Sequence, residues 1–247
     1  MQIQNFFNRH EIKYLITKTQ YQKFLEEMRD YLVADEYGKS LICNIYYDTP
    51  DFRLIRKSIE KPLYKEKLRL RSYGIPNDSS NVFIEIKKKY KSVVYKRRVK
   101  MTLNDANKFL KNPNAYSQIT HEISYLIDYY ERLYPALLLS YNRESFYEKN
   151  NRNFRITFDT NILWRNYDVD MRLGEYGKNI LPEGTVLMEI KVDMALPLWM
   201  TSFLTKEKIY PCSFSKYGKA YLLMIDSKTK EYELWVIFLI VYLIKIQ

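Results

Sequence analysis

The sequence predicts an α+β fold, an antiparallel eight-stranded β-barrel with helices packed outside. The prediction begins with three basic segments, residues 65–74, 82–90 and 93–100, in which charged and apolar residues alternate. A β-strand directs successive side chains to opposite faces, so each segment has one apolar face and one charged face. These segments are therefore predicted to be three neighbouring strands.

Five further segments complete the predicted count of eight strands. Three of them contain the same alternation of charged residues, at Arg9–Lys13, Arg155–Asp159 and Glu189–Asp193. One charged strand face is usually solvated, but like charges that face each other across a sheet are destabilising, so the repetition favours a bound anion. The five segments cover residues 5–16, 41–48, 136–147, 153–163 and 185–193.

Eight strands can close into a barrel whose interior holds side chains or one small ligand, and closure removes exposed sheet edges. If the charged faces point inward, the interior becomes a tunnel lined with Lys and Arg, and helices cover the apolar outside. Unpaired buried cations are costly. We therefore expect the tunnel to contain water or a polyanion.

Helices are predicted where apolar residues recur with the helical period. The longest such run covers residues 18–34, with Tyr21 and Phe24 on one face and Thr17 or Thr19 as its cap. The other predicted helical segments are residues 51–60, 102–111, 118–133, 197–205 and 220–225.

The charge of the chain favours an anionic partner, because 40 Lys and Arg against 29 Asp and Glu give a formal net charge of +11. The two cysteines, Cys43 and Cys212, have no metal-ligand spacing and predict neither a disulfide framework nor a zinc site. The first residues lack the apolar core of a signal peptide. We expect a cytoplasmic protein.

The C-terminal stretch from Leu234 to Ile246 is strongly apolar, but it is shorter than the roughly 20 residues of a membrane-spanning helix. It is expected either to be buried against the protein or a partner, or to contact a membrane. The predicted division is a tunnel domain over residues 1–230 and an apolar segment over residues 231–247.

Aromatic residues are frequent, with 24 Tyr in the chain, and aromatics beside Arg can bind single-stranded nucleic acid by stacking. Many of these tyrosines, such as Tyr46 and Tyr141, lie in predicted strands, where they are good sheet formers. We interpret them mainly as structural and predict no nucleic-acid partner. Neither His10 nor His121 is predicted to be catalytic.

Nine motifs occur in an order that resembles one known family, over roughly residues 5–225. The resemblance is to the VTC domain, the catalytic domain of the vacuolar transporter chaperone polyphosphate polymerases, within the triphosphate tunnel metalloenzyme superfamily. It implies an antiparallel eight-stranded tunnel. The motifs are NRHEIKY, YYDT, KLRLRSYG, FIEIKKK, YKRR, YNRESF, RITFDT, LMEIK and FSKYGK.

The resemblance implies that the protein transfers the terminal phosphoryl group of ATP to a polyphosphate chain with Mn²⁺ or Mg²⁺. By position in the motifs, the implied catalytic residues are Lys13, Arg69, Arg71, Lys87, Lys96, Arg143, Arg155 and Lys216. The implied substrate-binding residues are Arg98, Ser215 and Lys219. The implied metal ligands are Glu189, with Glu11, Glu85 and Asp159 acting directly or through water.

Two departures from the family pattern keep other functions open. Fungal members have a Lys where this chain has Ser213, and hydrolytic tunnel enzymes have a Glu where it has Arg9. The second departure weakens a triphosphatase prediction. The alternatives are a triphosphate or polyphosphate hydrolase, a non-catalytic polyphosphate-binding module and a nucleic-acid binder.

Overall fold

The computed structural model describes residues 10–91, 93–227 and 229. In this part of the chain, ten strands form one sheet, and every ladder in it is antiparallel. The strands are β1 (His10–Thr17), β2 (Leu32–Asp48), β3 (Tyr64–Tyr73), β4 (Asn81–Tyr90), β5 (Val93–Thr102), β6 (Tyr134–Glu148), β7 (Asn151–Arg165), β8 (Lys178–Asn179), β9 (Thr185–Val192) and β10 (Pro211–Cys212).

Eight of these strands are long, and each corresponds to one of the eight predicted strands. Their order in the sheet is β10-β1-β9-β7-β6-β2-β3-β4-β5, with β8 beside β7. The sheet curls until strands from its two ends face each other, since Glu11 Oε2 on β1 lies 3.7 Å from Lys87 Nζ on β4. The antiparallel prediction is confirmed.

The prediction that the barrel closes is wrong for the described strands, because no ladder among them joins β5 to β1 or β10. Contacts between charged side chains, such as Glu11 with Lys87, bring the two ends of the sheet together instead. Among the described strands, β5 is an edge, and the Lys and Arg residues along it discourage pairing with another chain. The tunnel is thus a deeply curved sheet with one unpaired seam.

The predicted helices are confirmed with altered bounds, and the last of them is longer than predicted. Thr17 caps the first helix together with Gln20, and Thr102 caps the third by accepting from Asp105 N. The helices are α1 (Lys18–Glu27), α2 (Arg53–Ile59), α3 (Leu103–Lys111), α4 (Gln118–Tyr129), the 3₁₀ turn Met171–Leu173, α5 (Leu198–Lys206) and α6, which begins at residue 216 and is described to residue 227.

Helix α1 ends about two turns earlier than the sequence predicts. The C-cap of α1 is Met28. Strand β2 already begins at Leu32, which pairs with Glu148 of β6. Residues 32–34 were predicted as helix because Leu32 continues the apolar period. Their pairing with β6 decides the conformation.

Four helices cover the outer face of the sheet, as predicted. Helices α1 and α5 pack on β1, β7 and β9 through a core that includes Phe24, Phe158 and Phe203. Helices α3 and α4 pack on β3 and β4 through a core that includes Ile84 and Ile123. The apolar side of each alternating strand is therefore buried against a helix.

Helix α6 lies on the inner face of the sheet. Tyr217 and Met224 of α6 pack with Tyr46 of β2 and Leu187 of β9, whose side chains point to the same side as the charged alternation. Helix α6 fills one side of the interior with apolar contacts. The charged residues are left to line the other side.

Within the described ranges, none of the helices combines the length and apolar character that a membrane crossing requires. The apolar segment predicted over residues 231–247 lies outside the described residues, as do residues 5–9 of the first predicted strand.

Candidate active site

The inner face of the curved sheet encloses a cavity of about 410 Å³, which we call the inner cavity. Its walls come from β1, β2, β3, β4, β5, β6 and β9, together with Ser215 and Lys216 at the start of α6. The structure brings seven of the eight predicted catalytic residues to this cavity: Lys13, Arg69, Arg71, Lys87, Lys96, Arg143 and Lys216.

Glu85 on β4 is the centre of the first group of charges in the inner cavity. It is almost fully buried, and its carboxylate lies 2.7 Å from both Arg69 and Lys96 and 3.8 Å from Arg71. Burial raises the pKa of Glu85, but the three cations outweigh burial and lower the pKa to about 2. The carboxylate is therefore ionised and holds the basic side chains in place.

Asp159 on β7 organises a second group in the same way. Arg143 donates to its Oδ1 from Nε at 2.6 Å and to its Oδ2 from Nη2 at 2.7 Å, and Lys216 of α6 also pairs with Oδ2. Burial raises the pKa of Asp159, but Lys216 and Arg143 lower it below its usual value. Asp159 itself is fully buried behind the two cations that reach the cavity.

Two carboxylates, Glu11 and Glu189, form a third group around Lys13. Lys13 Nζ lies 3.0 Å from Glu11 and 3.8 Å from Glu189, which also pairs with Lys191 at 3.0 Å. Burial raises the pKa of Glu189, but the surrounding cations hold it well below its usual value. Two ionised carboxylates thus lie close together in a cavity that is otherwise basic.

Ser215 caps helix α6 at the wall of the cavity. Its Oγ accepts from Lys67 Nζ at 3.0 Å and from Gly218 N at 3.2 Å, and the neighbouring Phe214 carbonyl accepts from Lys13 Nζ. A serine hydroxyl has two acceptor positions and one proton to donate. Both acceptor positions are used, so the proton remains available to an anion, next to the positive end of a helix.

Tyr46 and Tyr141 place their hydroxyl groups among these cations. Tyr46 accepts from Arg69 Nη1 at 3.2 Å and stacks on Tyr217 of α6. Burial raises the pKa of Tyr46, but Arg69 and Lys67 outweigh it and bring the pKa down to about 8. The two tyrosines, interpreted from the sequence as structural, also line the inner cavity.

Four predicted site residues lie outside the lining of the inner cavity, and the first is Asp159, which is buried behind its two cations. Arg155 reaches away from the cavity lining to pair with Asp35 of β2. Arg98 lies over the ring of Phe83, with its guanidinium carbon 4.8 Å from the ring centre. Lys219 lies outside the inner cavity, in a second cavity beside it.

The inner cavity is also lined by two lysines and two tyrosines that were not in the predicted site. Lys67 and Lys191 share the alternation of Arg69 and Glu189, which placed both on charged strand faces, but neither was assigned to the predicted site. The tyrosines Tyr46 and Tyr141 gave no comparable signal, because tyrosine is common in strands whether or not it meets a ligand. The strand alternation puts His10 on the other face from Glu11 and Lys13. His10 nevertheless lines the inner cavity, where it is the first described residue of β1.

The arrangement can bind a compact, highly charged anion. Arg forks match phosphate oxygens in pairs, and Lys supplies mobile point charges. The carboxylates that hold the Arg side chains also reduce their mutual repulsion. No separate nucleophile is required for such a site to position phosphoryl groups.

A family model supports this description of the site. The VTC domain model matches residues 8–225, which include every strand of the sheet and all of the inner cavity. The chain belongs to the VTC-domain family. The match confirms the resemblance found in the nine motifs.

Two solved structures share the fold of this VTC-domain chain. A candidate adenylate cyclase from Vibrio parahaemolyticus is 12% identical, with a TM-score of 0.51 over 86% of this chain and 97% of its own. One from Bacillus halodurans is 14% identical, with a TM-score of 0.52 over 84% and 95%. Such low identities show the fold alone, and no curated protein matches the chain.

The carboxylates of the VTC-domain site fit a divalent metal only in part. In the part of the chain that the structure describes, no three His, Cys, Asp or Glu side chains gather to hold a metal ion by themselves. Mg²⁺ and similar ions commonly use one or two carboxylates and complete their shell with substrate phosphates and water. Glu11 and Glu189 supply two such carboxylates. They lie near each other, because both are within 4.0 Å of the same Lys13 Nζ, at 3.0 and 3.8 Å.

Proposed function

We propose that the protein is a metal-dependent polyphosphate polymerase, which transfers the γ-phosphoryl group of ATP to the end of a polyphosphate chain. The observation that carries the proposal is the convergence of nine Lys and Arg side chains and the buried carboxylate Glu189 on one cavity of a VTC-domain chain. Phosphoryl transfer depends mainly on positioning and on neutralising the charge of the transferred group.

In this proposal, the arginines fix the geometry and the lysines balance the charge. Arg69, Arg71 and Arg143 present donors that Glu85 and Asp159 already orient, so little rearrangement is needed when a phosphate binds. The Ser215 hydroxyl donates a hydrogen bond to a phosphate oxygen. The point charges come from Lys13, Lys87, Lys96 and Lys216.

We infer that Glu189 and Glu11 hold the metal, either Mn²⁺ or Mg²⁺. A bound divalent ion supplies positive charge to the oxygens of the transferred group. Glu85 and Asp159 were predicted to help bind it, and this role remains a prediction. Both are almost fully buried behind Arg69, Lys96, Arg143 and Lys216, and this burial favours a role as counter-charges instead.

No general base is needed for this reaction, because the terminal phosphate of the acceptor chain is already ionised near neutral pH. Tyr46, whose pKa is about 8, is mostly neutral at pH 7 and can donate a hydrogen bond to a phosphate oxygen. Its role in the proposal is to orient the anion beside Arg69.

A hydrolase of triphosphate or short polyphosphate is the second candidate. The side chains of Lys87 and Lys96 are 40% and 41% exposed, so water reaches the same cations that would hold the phosphates. In a hydrolase, water replaces the polyphosphate end as the acceptor. The open seam beside β5 favours such access.

The test is incubation of the purified chain with ATP and Mn²⁺, followed by a gel for polyphosphate and an assay for free phosphate. We expect a polyphosphate ladder that disappears in Glu189→Gln. The matched control is Glu122→Gln, because Glu122 lies on the outer side and pairs with Lys88 there.

The other outcomes assign the other functions. Free phosphate without polymer, lost in Glu189→Gln, would establish the hydrolase. Tight polyphosphate binding with neither product would leave a non-catalytic binding module. We further propose that the tunnel domain occupies residues 1–230, as the match over residues 8–225 supports, and that residues 231–247 form a separate apolar segment.

A further inference from the structure

The inner face of β7 carries a hydroxyl group that the proposed function does not use. Thr157 lies between Arg155 and Asp159 in the alternation of this strand, on the opposite side from Phe158, which packs in the outer core. Thr157 is 2% exposed and is not part of the lining of the inner cavity. Its side chain therefore lies in the wall of the site, behind the residues that reach the cavity.

The Thr157 hydroxyl has no hydrogen-bond partner in the part of the chain that the structure describes. Its neighbour in the ladder with β6, Ser145, is also buried, yet the two side chains form no hydrogen bond. A buried hydroxyl without a partner costs free energy, and such groups are uncommon in folded proteins. Packing alone therefore does not explain a threonine at this position.

On its other side, Thr157 lies directly opposite Glu189, the carboxylate that we infer to hold the metal. The two residues are partners in the ladder between β7 and β9. Side chains that are directly opposite each other in an antiparallel pair have Cβ atoms about 4.5–5.5 Å apart. The threonine hydroxyl is thus within reach of the Glu189 carboxylate, although the two are not hydrogen-bonded in this structure.

The Glu189 carboxylate is turned to two lysines instead. Lys191 Nζ lies 3.0 Å from its Oε1, and Lys13 Nζ lies 3.8 Å from its Oε2. A divalent ion held by Glu189 repels both lysines and so weakens these ion pairs. Carboxylates that bind metals are in turn hydrogen-bonded by groups behind them, which orient them toward the ion. A neutral donor suits this role better than a lysine, because the charge of a lysine opposes the ion.

Thr157 has the properties of such a neutral donor. Its hydroxyl has one proton to donate, and a β-branched side chain has few accessible rotamers. Strand β7 is paired on both sides, with β6 and with β9, so the backbone of Thr157 is held in place. The hydroxyl is therefore fixed beside the carboxylate before any ion binds.

We propose that Thr157 is a positioning residue for the metal site, whose Oγ1 donates a hydrogen bond to the Glu189 carboxylate when Glu189 binds Mn²⁺ or Mg²⁺. The inference rests on the proposed function for the metal itself. It adds a residue that neither touches the ion nor lines the inner cavity. It also gives the buried hydroxyl of Thr157 a partner.

The test measures the affinity of the full chain for Mn²⁺ without ATP, by following free Mn²⁺ with electron paramagnetic resonance. The test variant is Thr157→Val, which has the same shape and lacks the hydroxyl. We expect its affinity for Mn²⁺ to fall about tenfold or more, since the loss of a group that supports a metal ligand typically costs about 10–100-fold. Thr157→Ser keeps the hydroxyl and should stay within about threefold of the unaltered chain.

Thermal unfolding distinguishes this role from a purely structural one. Because Thr157→Val replaces an unpartnered hydroxyl with a methyl group, we expect the variant without metal to be at least as stable as the unaltered chain. A fixed concentration of Mn²⁺ should then raise its melting temperature less than that of the unaltered chain. A loss of stability in Thr157→Val with no loss of Mn²⁺ affinity would mean that the hydroxyl is structural, and would overturn the proposal.

The matched control is Ser140→Ala, which removes another buried hydroxyl that has no partner among the described residues. Ser140 is fully buried on β6, but the alternation of the strand places it on the outer face with Leu138, away from Glu189. We expect its Mn²⁺ affinity to stay within about twofold of that of the unaltered chain. The same loss in Ser140→Ala as in Thr157→Val would contradict a specific role for Thr157.

Glu189→Gln separates this inference from the metal site on which it rests. If Glu189→Gln loses Mn²⁺ binding and Thr157→Val keeps it, Thr157 has no positioning role and Glu189 remains the ligand. If Glu189→Gln binds Mn²⁺ as tightly as the unaltered chain, or if the unaltered chain binds none, both assignments fail. The assay involves no turnover, so its result does not depend on whether the chain makes polyphosphate.

Discussion

At the scale of single residues, Glu85 controls the charge balance of the inner cavity. It is 1% exposed and contacts Arg69, Arg71 and Lys96, which come from two strands. Removing one member of a buried ion pair leaves its partners uncompensated, which is more damaging than replacing the whole group. Glu85 therefore stabilises the apo protein as well as orienting the site.

We expect Glu85→Gln to lower the free energy of unfolding by roughly 3–5 kcal/mol, measured by urea denaturation. Because the pKa of Glu85 falls from 4.5 to about 2 on folding, its contribution is fully present above about pH 4.5 and is lost as the pH falls toward 2. The difference between the two proteins should shrink over that acid range.

Added tripolyphosphate should raise the melting temperature of Glu85→Gln more than that of the unaltered chain, because the anion replaces the missing charge. Glu122→Gln, on the outer face, serves as the control and should lose at most about 1 kcal/mol. An unchanged stability in Glu85→Gln would contradict the role assigned to this carboxylate.

The affinity for tripolyphosphate should fall about tenfold or more between pH 7 and pH 9. Burial lowers the pKa values of Lys67 and Lys96 to about 8, and the pKa of Tyr46 is also about 8. As the pH rises through 8, both lysines lose a positive charge and the tyrosine gains a negative one. All three changes weaken anion binding, and calorimetry at pH 7, 8 and 9 measures the loss.

Tyr46→Phe removes one of the three titrations, so its affinity should decline less steeply over the same pH range. Tyr95→Phe, at an exposed position on β5, is the control and should behave as the unaltered chain. An affinity that is constant from pH 7 to pH 9 would show that these groups do not face the anion.

At the scale of elements, Asp48 joins the end of β2 to α2 and α6. Its carboxylate is fully buried and accepts from the backbone N–H groups of Thr49, Leu54 and Ile55 and from the Tyr217 hydroxyl. The first contacts satisfy donors at the start of α2. The last one fixes α6 on the inner face, where its first residues form part of the site.

We expect Asp48→Ala to lower the free energy of unfolding by roughly 2–4 kcal/mol, since it removes a helix cap and leaves buried donors without partners. Tyr217→Phe removes only the contact with α6 and should cost about 1 kcal/mol. Urea denaturation measures both variants. A smaller loss for Asp48→Ala than for Tyr217→Phe would contradict the central role of Asp48.

The elements themselves were largely predictable, and the errors have a physical cause. Strands with alternating faces and helices with capping residues were identified because their periods depend on local sequence. Residues 32–34 were not, since the apolar Leu32 fits a helix as well as a strand. Only the ladder with β6, more than one hundred residues away in the chain, distinguishes the two.

At the scale of the whole molecule, the curved sheet concentrates positive charge in its interior. The net charge of +11 is spread over the chain, but the inner cavity and the second cavity beside it gather more than ten Lys and Arg side chains. Self-repulsion of this kind destabilises the compact state and is relieved by bound anions or by salt.

Tripolyphosphate at one hundred times its Kd should therefore stabilise the protein by about 2.7 kcal/mol, which follows from mass action for a ligand of the folded state alone. Thermal unfolding measures the shift. Sodium chloride at the same ionic strength is the control and should produce a smaller one. Equal shifts would mean that the anion acts by screening alone and does not occupy the cavities.

The sequence by itself determined the strands, the helices and the face of each strand on which charge is placed, because these follow from periods of two and 3.6 residues. It also placed Lys13, Arg69 and Glu189 in one predicted site through the family motifs. The tertiary structure alone decided that the described strands do not close into a barrel, that Arg155 turns to Asp35 and that α6 brings Tyr217 against Tyr46. Those features depend on how distant segments curve and pack together, which no local period records.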